Sequence, residues 1–337
     1  MKNLFKALSA SLICTILLVV SASCDADALP PLPGAMPGGG DATSGTRPSA
    51  ALPAGNLSTL YDGAVDVFDF PIPTASGVNV SSNERAEIDY SNTQDGYVMV
   101  RFLIDSGSDF RARVVNPDGL EYAHFIRNAG EFEVLPLTGG DGEYTIGVFE
   151  RVEGGRFVQL ISVTTTVELD DEFAPFLRPN QNVYFNRGSM VVDVAARLVH
   201  GTDDFFERVR LVYFFVVTNI EYDFELAATV QAGYIPDVDA VLVRGRGICF
   251  DYASVMTAML RSLGIPTQLV IGYVGDVYHA WINVYSEMDG WVDALIFFDG
   301  NEWHYMDPTF TSTAGLNNEA VRELIGDGTT YHAMRTY

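Results

Sequence analysis

Cys249 is the residue whose neighbours in the sequence best suit chemistry. It follows Arg244-Gly245-Arg246-Gly247-Ile248 and precedes Phe250-Asp251-Tyr252-Ala253. The two glycines let the chain turn tightly before it. After it, Tyr252, Met256, Met259 or Leu260, and Leu263 recur at helical spacing. Gly264 can cap the end and Pro266 forbids continuation. Cys249 is therefore expected in the first turn of a helix. Unpaired amides and the helix dipole favour an anion there, and Arg244 and Arg246 add positive charge. A buried, inert cysteine is the plainer alternative. The glycine approach and the helix-start position weigh against it.

Two further candidates follow. Gln268 to Val274 reads as a strand and Tyr278 to Tyr285 as the next. Period two puts His279, Trp281, Asn283 and Tyr285 on one face and Ala280, Ile282 and Val284 on the other. His279 is then either a satisfied sheet residue or an imidazole free to exchange protons. Trp291 to Phe298 reads as a third strand, Asp299-Gly300 as a turn, and Glu302 to Met306 as a fourth strand. Pro308 stops that ladder, so Asp307 is expected at a strand terminus. His304 would point to the other face. Asp251 reads as a helix N-terminal acid, and Asp293 and Asp299 as solvent or turn residues. Cysteine, histidine and aspartate could also bind zinc, but no fourth ligand is evident. Neither metal nor cofactor is expected.

In chain order, Gly247-Ile248-Cys249, Asp251-Tyr252-Ala253, Gly264-Ile265-Pro266, His279-Ala280-Trp281 and Asp307-Pro308-Thr309 resemble the signature of the transglutaminase-like superfamily. The resemblance covers roughly residues 205–312. One such anchor is common; five in order are specific. It implies a papain-like core in which Cys249 is the nucleophile, His279 the base and acid, and Asp307 the group that orients His279. The chemistry is coherent. A thiolate attacks an amide carbonyl and an imidazolium protonates the leaving amine. A carboxylate fixes the imidazole tautomer. The backbone amide of Cys249 is a natural first oxyanion donor. Gln231 and Tyr222 are upstream alternatives for the second. The expected function is thiol-dependent acyl chemistry on a protein or peptide substrate, with hydrolysis favoured over glutamine cross-linking. The alternative is a non-catalytic surface module that keeps the fold.

The fold class that must position these groups is α+β. Short alternating runs at residues 96–102, 110–115, 121–126, 144–149 and 157–167 are separated by Asn116-Pro117-Asp118-Gly119, Gly139-Gly140-Asp141-Gly142 and Glu153-Gly154-Gly155. They predict an N-terminal antiparallel β-sandwich over 61–170. The Asp-Gly clusters lack the spacing of a calcium loop and read as hairpin turns. His124, alone in a strand, reads as structural. Residues 171–202 are polar and Pro-interrupted at first and read as a connection. It ends in a short helix from Val191 to His200, where His200 suits the helix C-terminus. Asp203-Asp204 then opens a helix with Phe205, Val209, Val212 and Val216 on its core stripe. A transglutaminase-like domain is expected over 203–337.

The remainder is a leader and a tether. Lys2 and Lys6 precede an apolar stretch from Ala7 to Val20, too short to span a bilayer comfortably, so residues 1–23 read as an export signal. Ser21-Ala22-Ser23-Cys24 resembles a bacterial lipobox, with Ser21 where an aliphatic residue is usual. Cys24 is the expected lipidation site and membrane link; cleavage without lipid would secrete the chain instead. Residues 24–60 hold Pro30, Pro31, Pro33, Pro37, Pro48, Pro53 and three successive glycines. A flexible tether of that length holds the body about 30 Å from an anchor. Across 337 residues there are 44 acidic and 20 basic side chains. Binding nucleic acid through a basic patch is excluded. Three cysteines exclude a disulfide framework. Lys2 and Lys6 are the only lysines, so the chain beyond residue 23 carries 18 arginines and no lysine. Arginine bias explains this; a transferase that spares itself would also fit it.

Overall fold

The computed structural model describes residues 60–274, 277–292, 296–298, 303–305, 308–309 and 331–337. Alternation of buried and exposed residues builds the first region. Strands β1 (Val80–Ser82), β2 (Ala86–Asp89), β3 (Tyr97–Phe102) and β6 (Glu133–Pro136) form one antiparallel sheet in the order β1-β2-β3-β6. Strands β4 (Phe110–Val115), β5 (Glu121–Ile126), β7 (Gly142–Arg151) and β8 (Phe157–Val167) form the second, in the order β5-β4-β7-β8. Phe110, Ala112 and Val114 on β4 and Tyr144, Ile146 and Val148 on β7 point inward and are buried. Phe102 of the first sheet stacks on Phe110 of the second with centroids 4.0 Å apart, which closes the sandwich. Gly119, at φ 84°, closes the turn after β4 by donating to the Asn116 carbonyl. The expected strands all form. The shorter β1, β2 and β6 carried too few alternating residues to be read beforehand.

Residues 171–189 are more than a connector. Phe176, Val183 and Phe185 are buried, and Phe173 and Phe176 pack on Trp291. Five helices follow among the described residues up to Ser262: α1 (Met190–Leu198), α2 (Phe205–Asn219), α3 (Phe224–Thr229), α4 (Val238–Arg244) and α5 (Cys249–Ser262). Asp204, Asp223 and Asp237 cap α2, α3 and α4, each accepting from a backbone amide three residues on. Part of the acidic excess thus serves helix N-termini. On α2, Val212 and Val216 are buried while Phe205 and Val209 lie half-buried at the core edge. His200 lies just beyond the end of α1 with Tyr61 stacked on its ring at 3.7 Å.

Helix α5 is the centre of the second region. It packs against α1, α2, α4 and the strands β11 (Thr267–Val274) and β12 (Val277–Ser286). These strands belong to a sheet of order β13-β12-β11-β16, with β13 at Gly290–Val292 and β16 at Tyr331–Thr336. One expectation is corrected here and one element is added. The run from Trp291 to Phe298 is not one strand: β13 pairs with β12, while β14 (Ile296–Phe298) pairs with β15 (Trp303–Tyr305) in a separate two-stranded sheet. The C-terminal strand β16, which the sequence did not announce, pairs with β11. It also ties the two regions together. Thr138 donates to the Thr336 carbonyl at 2.8 Å, and Tyr337 sets its ring against Tyr122 and His124. No helix among the described residues is long and apolar enough to cross a membrane.

Candidate active site

The approach to Cys249 is built backbone first. Helix α4 ends at Gly245, whose left-handed φ of 62° reverses the chain. Strand β10 (Arg246–Gly247) then runs parallel to β9 (Glu221–Tyr222). Glu221 donates to the Gly245 carbonyl and Asp223 to the Gly247 carbonyl, each at 2.8 Å. Ile248 is the N-cap of α5 and has no polar side chain to serve the helix start. Asp251 does so instead, its Oδ2 accepting from the Ile248 amide at 2.8 Å. A Cβ on Gly247 would stand 2.5 Å from the Cβ of Asp251, so this position needs glycine.

Cys249 is the first helical residue, and it is buried at 3% exposure. The first intrahelical bond runs from the Tyr252 amide to the Ile248 carbonyl. The amides of Cys249, Phe250 and Asp251 therefore have no intrahelical acceptor, the arrangement that suits an anion at a helix start. The expectation that Cys249 stands in the first turn of a helix holds, and the cysteine is also buried, as the plainer alternative had it.

His279 lies on β12 opposite Gly272 of β11 and is buried at 2% exposure. Its ring stacks towards Trp281, with centroids 6.4 Å apart. Trp281 packs on Val270, and Tyr331 meets it edge-on. Asn283 donates to Gln268 Oε1 at 3.0 Å across the same face. The predicted grouping of His279 with Trp281 and Asn283 is thus observed. Ala280, Ile282 and Val284, on the alternate positions, join the core around α5. Gly272 leaves room for this face: a Cβ there would stand 2.8 Å from the Trp281 ring and 2.1 Å from the His332 carbonyl oxygen. Helix α5, which opens on Cys249, packs against β12, and the β12 residues that join its core are Ala280, Ile282 and Val284, with His279 on the alternate positions. Asp307 lies outside the described residues, as do Cys24, Asp293 and Asp299. Of the possible second oxyanion donors, Gln231 turns its Nε2 to the Thr229 carbonyl, whereas Tyr222 is buried on β9 beside Gly247.

Sequence reading took Asp251 for an ordinary N-terminal acid and so missed its setting. The side chain is fully buried. Its Oδ1 accepts from the Tyr234 hydroxyl at 2.6 Å and pairs with Arg244 Nη2 at 3.1 Å. Burial raises the proton affinity of this carboxyl, against the pull of Tyr234, the Ile248 amide and Arg244. Burial, together with Asp251, likewise pushes the Tyr234 phenol upward. Arg246, also expected to add positive charge, is paired with Asp223 at 3.5 Å.

The Transglutaminase-like superfamily profile matches residues 192–308. Uncharacterized protein YebA of Bacillus subtilis (strain 168) is 28% identical over 147 residues, which is 38% of this chain and 18% of that protein. The chain thus spans less than a fifth of that relative's length. Among solved structures, the periplasmic domain of TgpA from Pseudomonas aeruginosa is similar over 70% of this chain and 98% of its own, at 15% identity and a TM-score of 0.30. Red sea bream transglutaminase is similar over 63% of this chain and 48% of its own, at 13% identity and a TM-score of 0.26.

Proposed function

With residues 192–308 a domain of the transglutaminase-like superfamily, we propose that this protein is an exported thiol-dependent enzyme acting on amide bonds of protein or peptide substrates. The observation that carries the reading is the helix start at Cys249: a cysteine as first helical residue, behind a glycine whose Cβ space Asp251 already fills, on a helix packed against the strand that bears His279. In this reading the Cys249 sulfur adds to the substrate carbonyl carbon. The oxyanion so formed meets the Cys249 amide, and the imidazolium of His279 gives its proton to the leaving amine. Asp307 holds the imidazole tautomer. Water, deprotonated by His279, then cleaves the thioester and restores the thiol. Hydrolysis is preferred to cross-linking because transfer needs an amine channel that excludes water, and nothing in the sequence calls for one.

The test offers a labelled peptide library and, separately, a glutamine-containing protein with a labelled primary amine. Peptide cleavage that disappears in Cys249→Ala and His279→Ala is expected. Cys249-dependent amine incorporation without cleavage would replace hydrolysis by acyl transfer. No turnover of either kind, with tight ligand binding, would favour the non-catalytic module. Export and a lipid on Cys24 belong to the same proposal and rest on the leader sequence. Detergent partition of the mature protein, abolished by Cys24→Ser, is expected; an unmodified Cys24 at the mature N-terminus would refute the lipid anchor.

A further inference from the structure

Helix α5 begins with an arrangement that its own capping does not require. Three other helices of this region start on an aspartate that is exposed, as at Asp204 and Asp237, or half-buried, as at Asp223, and each uses its side chain to accept from one backbone amide. Asp251 is fully buried instead and uses both oxygens. A buried carboxylate is costly unless it is paired and hydrogen-bonded. Here the pairing reaches across the chain. Arg244, at the end of α4, donates Nη2 towards Asp251 and to the Tyr234 hydroxyl, both at 3.1 Å, and Nε to the Arg246 carbonyl at 2.6 Å. One guanidinium thus holds the strand before Cys249 and, through Asp251, the helix turn after it.

We propose that Asp251, Arg244 and Tyr234 are positioning residues for Cys249: a charge-balanced clamp that sets both the place of the thiol and the field around it. This rests on the reading of Cys249 as nucleophile. Among the described residues, the charged and titratable groups tied to the helix start are Asp251 on α5, Tyr234 before α4, Arg244 on α4, and Arg246 on β10 with its partner Asp223; the reading above adds His279 and Asp307. Asp251 and Arg244 carry opposite charges and tie the backbone on either side of Cys249, at Ile248 and Arg246. Removing either one should therefore shift the ionisation of Cys249, and the two shifts should have opposite signs. A side chain that served the helix start only through its hydrogen bond, with no field at the sulfur, would give no such pair of shifts.

The experiment measures the rate of iodoacetamide alkylation at Cys249 against pH in the full chain, with the site mapped by peptide mass. Asp251→Asn keeps an oxygen for the Ile248 amide but leaves Arg244 unbalanced, so the midpoint should fall. Arg244→Gln leaves Asp251 unbalanced, so the midpoint should rise. Each displacement should be roughly half a pH unit or more, as expected of a unit charge nearby in a partly solvated site. Arg244→Lys should bring the midpoint back towards the parent value. If Asp251→Asn does not fold, the Arg244→Gln and Arg244→Lys pair decides the matter. Displacements of one sign, or none, in folded variants of a reactive parent overturn the clamp alone. A parent whose Cys249 resists alkylation at every pH overturns the nucleophile reading and the clamp with it.

Discussion

At the scale of single residues, Gly247 shows how little freedom the site has. Its missing Cβ is space already taken by Asp251, whose Cβ, Oδ2 and Cγ lie 2.5, 2.9 and 3.0 Å from where a Cβ would be. The backbone cannot move away easily, because the Gly247 carbonyl is tied to the Asp223 amide. Gly247→Ala should cost about 1–3 kcal/mol, the usual range for overpacking a filled site. Urea denaturation measures that loss. The same substitution pushes directly on the residues either side of Cys249. Alkylation of the folded variant should slow about tenfold or more, as small misplacements of reacting groups do. A stable variant with parent reactivity would show that Cys249 tolerates a displaced cap.

At the scale of elements, the far end of α5 is as constrained as its start. Arg261 is completely buried, donating to the carbonyls of Thr267, Arg178 and Tyr337 at 2.7 to 2.9 Å. Burial lowers this guanidinium to about 9, so it stays protonated at neutral pH. Its three acceptors come from β11, from the segment before α1 and from the residue after β16. One side chain thus fastens the helix to pieces of chain far apart in sequence. Arg261→Met would remove a donor from the Thr267 and Arg178 carbonyls, while the Tyr337 oxygen keeps the Leu269 amide; at about 1–3 kcal/mol for each unsatisfied group, it should destabilise by roughly 2 kcal/mol or more. Chemical denaturation checks the magnitude. A near-neutral effect would mean that water replaces the lost donors.

At the scale of the whole molecule, the sandwich and the helical region meet at His124. This β5 residue is fully buried against Tyr337, and its Nε2 has no hydrogen-bond partner among the described residues. Desolvation lowers its pKa to about 4, with a hydrogen bond to Gln181 opposing and Arg335 adding to the fall. The unfolded chain takes up the proton near 6.5, before the folded chain does. Stability is therefore fully present above pH 6.5 and is lost as pH falls towards about 4, by up to about 3 kcal/mol. Denaturation midpoints across that window should fall with acid, and His124→Leu should flatten the slope whatever it does to absolute stability. An unchanged slope would assign the acid sensitivity to other groups.

Local pattern decided a great deal. The α5 stripe, its Gly264 stop, the aspartate that opens α2 and the longer sandwich strands were legible because each depends on residues within a turn or a hairpin of one another. Cys249 at a helix start and His279 beside Trp281 and Asn283 followed from the same short-range periods. What the sequence did not disclose depends on partners distant along the chain. Tyr234 meets Asp251 across 17 positions, and Arg261 meets Tyr337 across 76. Strand β16 finds β11 only after the intervening chain has returned to the sheet. The run from Trp291 to Phe298 divides because its two halves pair with different strands. Periodicity says which side of an element is apolar, but pairing and burial of charge are settled only by which elements come to lie against one another. That is why Cys249 was readable from the sequence alone, while the clamp beside it was not.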